Sequence, residues 1–377
     1  MRGLLLAGVL IAGTAFGEIY ELPPPGVDVI GDVVTVTAGY EDTLLDIARR
    51  HGLGYHDVVR ANPDVNVWLP GEGTKVVLPT RYVLPSGPRE GLVLNLAEYR
   101  MYYYPKPRQG EPAYVMTYPI SIGRMDWETP LGLTSVVAKV VNPSWYPPAS
   151  VHQERRDEGR PALPRIVPPG PDNPLGSRAM RLGLPGYLIH GTNRPAGVGM
   201  RVTHGCIRMF PEDIEFLFDK VSVDTRVRIL NEPVKVGWNG DELVMEVHPV
   251  LDEKPEVTVD EPGGEETVAA GVEAGSGTDN GNDADAAADE DVETSVAAVD
   301  EDVETGVAAV SKDPLTYATE SFISATRDRE GRLDWTVVEA LIASADGMPA
   351  TVGRGVVDST VPAPEDDALV SQEAHFD

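Results

Sequence analysis

Residues 190 to 209 read His190-Gly191-Thr192-Asn193-Arg194-Pro195-Ala196-Gly197-Val198-Gly199-Met200-Arg201-Val202-Thr203-His204-Gly205-Cys206-Ile207-Arg208-Met209. This stretch holds the single cysteine of the 377-residue chain, Cys206, with His204 two residues before it and His190 sixteen before it. Four glycines and a proline lie between His190 and Cys206, so the chain can fold back and bring the two side chains together. A thiol reacts as its thiolate, and a neighbouring imidazole is the usual acceptor of its proton. A third group normally orients that imidazole; Gly191 can offer only its carbonyl. Ile189 and Ile207 put apolar residues beside both chemical groups, as strand positions do. The stretch reads as two strand edges that carry a cysteine nucleophile and a histidine base. Two plainer readings stand beside it. A lone Cys is often a small buried hydrophobe, and Cys206, His204 and His190 offer three of the four ligands a structural zinc site wants.

His190, twelve intervening residues and then Thr203-His204-Gly205-Cys206-Ile207-Arg208 resemble the signature of the L,D-transpeptidases (YkuD domain). It is most similar to the branch that links the major outer-membrane lipoprotein to peptidoglycan. The flanks agree: Ser121-Ile122-Gly123-Arg124, Glu128-Thr129-Pro130-Leu131-Gly132, Pro171-Asp172-Asn173-Pro174-Leu175-Gly176 and Tyr187-Leu188-Ile189-His190-Gly191-Thr192. One departure is that many members carry an Asn shortly after the Cys, where this chain has Arg208-Met209-Phe210. The resemblance covers about residues 35–235 and implies a mainly β, β-sandwich-like catalytic domain with the Cys on its rim. It also implies the chemistry. His190 takes the thiol proton, and Cys206 attacks a peptidoglycan stem peptide between its third-position diamino acid and fourth-position D-Ala. An amine from a lipoprotein lysine or another stem then takes the acyl group. No cofactor and no metal is implied. Gly205 and Cys206 would offer oxyanion donors, and Gly191 would orient the base. His204 would shape the pocket's electrostatics, and Thr203 would be a donor near the thiolate or a β-branched strand residue. Arg208 would pair either a substrate carboxylate or a structural partner.

Other classes fit less well. In papain-like or NlpC-type peptidases the Cys usually precedes the His, and here His190 comes first. An amidase cutting the lipoprotein linkage would use the same site with water as acceptor, and a wall-binding module would need no thiol. No phosphate loop, metal motif or basic nucleic-acid patch is present.

In chain order, Met1-Arg2-Gly3, the apolar run from Leu4 and Ala15-Phe16-Gly17 form an expected signal peptide, 1–17, cleaved before Glu18. Export to the periplasm or cell envelope follows, where one Cys cannot form an internal disulfide. Residues 32–80 read as β-α-α-β: Val33 to Val36, a helix after Thr43, a helix over Tyr55 to Ala61, and Val76 to Leu78. With Gly39, Asp42-Thr43-Leu44, Ala48, Asn62-Pro63 and Leu69-Pro70-Gly71, this unit resembles a LysM module, which implies binding to peptidoglycan glycan. Trp68 is either part of a sugar-stacking surface or a core residue. The catalytic domain is expected over 91–232, with strands at Leu92 to Leu96, Met101 to Tyr104, Val115 to Ile122, Ser135 to Val141 and Thr225 to Leu230, and a helix from Pro211 to about Lys220. Residues 142–174 carry nine prolines with Trp145 and Tyr146 and read as a lid over the site. Residues 233–250 are expected to add strands to this domain. Of the net charge of −29, only −3 falls before residue 252. The near-exact repeats 289–299 and 300–310 carry no bulky residue, so 251–377 is expected to be a mostly disordered acidic tail. Within it, Leu333 to Ala345 has helical apolar spacing and no evident partner.

Overall fold

The computed structural model describes residues 17–124, 128–251 and 313–356. The leader up to Phe16 and both acidic repeats lie outside the described residues. The chain opens with strands β1 (Glu18–Glu21), β2 (Val29–Gly31) and β3 (Val34–Thr37), then helices α1 (Leu44–Arg50) and α2 (Tyr55–Ala61), then β4 (Lys75–Leu78) and β5 (Arg81–Val83). Thr43 starts α1 with a reciprocal capping box: its hydroxyl accepts the Asp46 N–H at 3.1 Å while Asp46 accepts the Thr43 N–H at 3.0 Å. β3 and β4 pair antiparallel, and Leu44, Ile47, Leu53 and Val58 bury against Val76 and Leu78. The expected β-α-α-β order is therefore present as a small unit with its own core.

The central body contains β6 (Gly91–Asn95), β7 (Arg100–Tyr104), β8 (Tyr114–Pro119), β9 (Ile122–Gly123), β10 (Gly132–Val141), α3 (Ala149–Asp157), β11 (Arg178–Leu182), β12 (Leu188–His190), β13 (Arg201–Thr203), β14 (Ile207–Arg208), α4 (Pro211–Phe218) and β15 (Arg226–Leu230). Nine strands form one sheet in the order β1-β8-β7-β6-β15-β10-β11-β12-β14, and β9 pairs with β13 beside it. β10 makes this sheet curl. Its residues Gly132 to Ser135 pair with β15, and Val136 to Val141 pair with β11 across an irregularity between Val136 and Ala138. The curled sheet and α4 enclose one core, in which Leu92, Leu94, Met101, Met116, Ile189, Ile207, Ile214 and Leu217 meet. Burial of each such side chain contributes about 1.5–3 kcal/mol. Gly17, expected as the last leader residue, is packed against this body: its N–H donates to Asp213 Oδ1 at 3.0 Å, and an added Cβ would lie 2.2 Å from the Tyr118 ring. Burial pushes the Asp213 carboxyl up to about 8.

Two expectations for the C-terminal part need correction. Residues 233–250 add nothing to the central sheet: β16 (Val234–Asn239) and β17 (Glu242–Val247) belong to a separate four-stranded sheet. Its other strands come from the segment assigned to the tail. Residues 313–356 form α5 (Pro314–Ala325), β18 (Gly331–Leu333), α6 (Trp335–Ser344) and β19 (Ala350–Gly355), in the sheet order β16-β17-β19-β18. The helical spacing near Leu333 is real, and its partner is this sheet: Ala318, Val338 and Val352 bury against Val234, Trp238, Leu243 and Met245. The acidic average of the tail hid a segment whose apolar face had a partner 70 or more residues upstream.

The three units meet at a buried ionic cluster. Lys235 Nζ lies 2.9 Å from both Glu98 Oε2 and Glu246 Oε1, and His248 Nε2 lies 2.7 Å from Glu246 Oε1. Glu246 Oε2 also accepts the Val83 N–H at 2.7 Å. One turn of sequence away, the fully buried Arg100 pairs with Asp57 of α2 at 2.6 Å and donates to Thr117 Oγ1 at 3.0 Å. Removing one member of such a cluster leaves uncompensated buried charge. Lys235→Met should therefore lower the stability measured by urea unfolding by about 3–5 kcal/mol, whereas a change below about 1 kcal/mol would mean that Arg100, His248 or a bound proton balances Glu98 and Glu246 without Lys235.

Candidate active site

β12 and β14 run parallel, with Ile189 opposite Ile207 and His190 opposite Arg208. Successive strand residues face opposite sides. Ile189 and Ile207 therefore enter the core, while His190 and Arg208 face a cavity of about 110 Å³ that Cys206 also lines. The register is locked from both sides: Met209 N–H donates to His190 O at 2.9 Å, and Ser121 and Arg208 exchange backbone hydrogen bonds at 2.8 and 3.0 Å. The structure thus brings His190, Cys206, His204, Thr203 and Arg208 around one cavity.

His190 Nδ1 lies 2.6 Å from Gly191 O, a contact that makes Nδ1 the protonated nitrogen and leaves Nε2 as an acceptor. The Gly191 carbonyl, named above as an orienting group, is thus the contact of His190 Nδ1. Gly191 itself is hemmed in, since an added Cβ would meet Ile214 Cγ2 at 3.1 Å and Leu175 O at 3.3 Å. Burial, and then the Arg208 charge, push the His190 imidazole down to about 3, so it is neutral and able to take a proton. Burial pushes the Cys206 thiol up to about 11, opposed by a backbone hydrogen bond from Leu188 and by Arg208. At rest the site holds a thiol, whose Sγ lies 3.6 Å from Gly186 O, and a neutral imidazole.

The loop that presents Cys206 is built by its neighbours. Thr203 is buried, and its hydroxyl donates to Cys206 O at 2.6 Å. This makes Thr203 a turn-former; its oxygen is committed to the backbone and not to the thiolate. Gly205 has φ +94°, a conformation that favours glycine, and its carbonyl accepts the Thr129 hydroxyl at 2.8 Å. His204 Nε2 lies 2.8 Å from Glu154 Oε2, and Arg124 lies 2.7 Å from Glu154 Oε1. Among the described residues Arg208 has no carboxylate partner, and its Nε is buried without an acceptor. The zinc reading finds no support in the geometry. Among the described residues the trio with ligand atoms within 4.8 Å of one another is Glu98, Glu246 and His248, where the Lys235 ammonium already sits.

The proline-rich segment is more ordered than its sequence implies. Trp145 and Val167 exchange backbone hydrogen bonds, and the buried Asn173 amide donates to Pro143 O at 2.7 Å. Helix α3 lies between them, and Trp145, Tyr146, Pro148 and Val151 line the cavity with Cys206. Reading the sequence missed Glu154, Thr129 and Gly186 as parts of the site. Each acts through a partner 20 to 76 residues away, so no local spacing marks it.

A raised thiol pKa has a direct consequence. The thiolate fraction, and with it the rate of Cys206 alkylation by iodoacetamide, should climb about tenfold per pH unit between about pH 7 and pH 9. A rate already flat across that range would reveal a preformed thiolate–imidazolium pair.

Residues 89–229 match the L,D-transpeptidase catalytic domain, YkuD. The chain is 41% identical over 255 residues to the probable L,D-transpeptidase YbiS of Escherichia coli K12, covering 66% of this chain and 81% of that one. It is likewise 41% identical over 247 residues to the probable L,D-transpeptidase ErfK/SrfK of Salmonella typhimurium, covering 64% and 78%. Among solved structures, an L,D-transpeptidase from Mycobacterium smegmatis aligns at 21% identity over 42% of this chain and 63% of that chain, with a TM-score of 0.27, so the assignment rests on sequence. With four-fifths of a 41% identical relative spanned and residues 89–229 matching the catalytic domain, this chain belongs to the L,D-transpeptidase family.

Proposed function

We propose that this protein is an exported peptidoglycan L,D-transpeptidase that works through a cysteine thioester. The observation that carries the reading is the shared cavity of Cys206, His190 and Arg208, with the His190 tautomer fixed by Gly191 O. As a peptidoglycan stem enters, the thiol proton passes to His190 Nε2 and Sγ attacks the carbonyl carbon of the third-position diamino acid. The N–H groups of Gly205 and Cys206 hold the oxyanion, each worth on the order of 3 kcal/mol. The tetrahedral adduct collapses, the C–N bond breaks, and D-Ala leaves with the proton from His190. A thioester remains on Cys206. An amine then attacks it, gives its extra proton to His190, and the C–S bond breaks to restore the thiol. The amine belongs to a lipoprotein lysine or to a second stem's diamino acid.

Arg208 supports this reading as the recognition group for a substrate carboxylate, because a half-buried guanidinium without a carboxylate partner among the described residues keeps that valence for a ligand. Its charge also helps to hold His190 neutral. The unit over 34–78 would hold the glycan as a LysM module: Tyr40, Trp68 and Leu69 are all exposed there, Trp68 at 67%. No helix among the described residues is long and apolar enough to cross a membrane. The leader would place the enzyme in the periplasm. Hydrolysis of the same linkages is the second reading, favoured only where water reaches the thioester before the amine does.

The test is intact mass of the protein incubated with disaccharide-tetrapeptide. An acyl adduct with release of free D-Ala is expected on the native protein, none on Cys206→Ala, and at least about 100-fold slower formation on His190→Ala. Addition of a lysine-ended lipoprotein peptide should discharge the adduct into a new amide. If no adduct forms while the protein still sediments with sacculi, it is a wall-binding protein and not an enzyme.

A further inference from the structure

The lid and the nucleophile loop are joined by a polar contact that nothing in the transfer mechanism uses. Helix α3 carries Pro148, at its N-terminal boundary, and Val151 over the cavity, and Glu154 one turn further on. Glu154 spans back to the opposite wall. One carboxylate oxygen lies 2.7 Å from Arg124 Nη2 and the other 2.8 Å from His204 Nε2, and these two groups lie 3.4 Å apart. Arg124 and His204 each directly follow a strand of the β9–β13 pair, and the Arg124 N–H donates to Thr203 O at 2.9 Å. The contact therefore ties the helix over the cavity to the strands that carry Cys206. Other polar side chains of α3 bond within the lid segment itself: Gln153 to Asp157 at 2.7 Å, and Arg155 to Pro161 O at 2.8 Å.

We propose that Glu154 is a latch that holds α3 closed over the Cys206 thioester and so sets the partition of the acyl group between an amine and water. The inference rests on the acyl-transfer reading above and adds to it the device that separates a transferase from a hydrolase. The physical reason is geometric. The segment is fixed at its base by Asn173 and by the Trp145–Val167 pair, so its free side is α3. Glu154 is only one-fifth exposed, and with two cationic or donor partners it is held more firmly than a surface pair would be. With the latch made, Trp145, Tyr146, Pro148 and Val151 shield the thioester, and the acceptor must arrive along a defined path. With the latch broken, α3 can lift and water reaches the carbonyl carbon. Glu154 acts through His204 and Arg124 and is a positioning residue; it touches no reacting atom.

Two readouts on the full-length protein test this. The first is the ratio of tripeptide stem (hydrolysis) to new amide (transfer) with disaccharide-tetrapeptide as donor and a lysine-ended peptide as acceptor. In Glu154→Gln that ratio should rise by about fivefold or more while the rate of D-Ala release stays within about threefold of the native protein. The second needs no turnover: the rate of Cys206 modification by N-phenylmaleimide divided by that with iodoacetamide. The thiolate fraction cancels in this quotient, so it reports access, and it should rise by about fivefold in Glu154→Gln. Gln153→Ala, on the same helix and outside the latch, should leave both quantities unchanged. Should Glu154→Gln fail to fold, Arg124→Gln breaks the same contact from the sheet side and is judged by the same two ratios. Unchanged ratios in a folded variant, or loss of D-Ala release as large as that of His190→Ala, would overturn the latch. If the native protein forms no acyl adduct at all, the transfer reading fails on that count, and the maleimide ratio still decides whether Glu154 closes the cavity.

Discussion

The parallel pairing of β12 with β14 is the constraint on which the site depends. Two residues of pairing, Ile189 with Ile207 and His190 with Arg208, do three things at once. They drive two isoleucines into the core, turn the His190 imidazole and the Arg208 guanidinium into the cavity, and fix where the loop before Ile207 must hold Cys206. A slip of one residue would exchange the faces and bury His190 in an apolar core. The backbone bonds of Arg208 to Ser121 and of Met209 to His190 make such a slip expensive.

Electrostatics then sets the resting state. Burial pushes the Cys206 thiol up and the His190 imidazole down, so both groups are uncharged at neutral pH. Burial is the first cause of both shifts. Arg208 leans on both groups: it favours the thiolate and disfavours the imidazolium.

Around this centre, the other units are fastened by buried charge. Arg100 reaches Asp57 of the small N-terminal unit, and Lys235 bridges Glu98 of the central sheet to Glu246 of the C-terminal sheet. The N-terminal unit also reaches the motif itself, where Tyr55 N–H donates to Val198 O at 2.9 Å, and helix α4, where Arg49 pairs with Glu212 at 2.6 Å. Gly54 and Gly199 meet there so closely that a Cβ on Gly54 would lie 2.7 Å from the Gly199 Cα. The glycine-rich spacing between His190 and Cys206 serves this packing as well as the fold-back of the chain.

The sequence by itself determined whatever local pattern or chemical identity can encode. It marked Cys206 and His190 as neighbours of one cavity, Gly191 O as the contact of His190, the β-α-α-β unit with Thr43 opening its first helix, and the mainly β body. Each of these is written within a few residues: a cap, an alternation, a thiol two residues after a histidine. The tertiary structure alone decided what depends on partners far along the chain. It gave His204 to Glu154, 50 residues away, and left Arg208 without a carboxylate among the described residues. It removed β16 and β17 from the central sheet and joined them to residues 313–356, which the acidic composition around them had marked as tail. The physical reason is the same in every case. A side chain's role is set by which surface buries it and which charge it meets, and those are fixed by strand register and long-range packing that no local window contains.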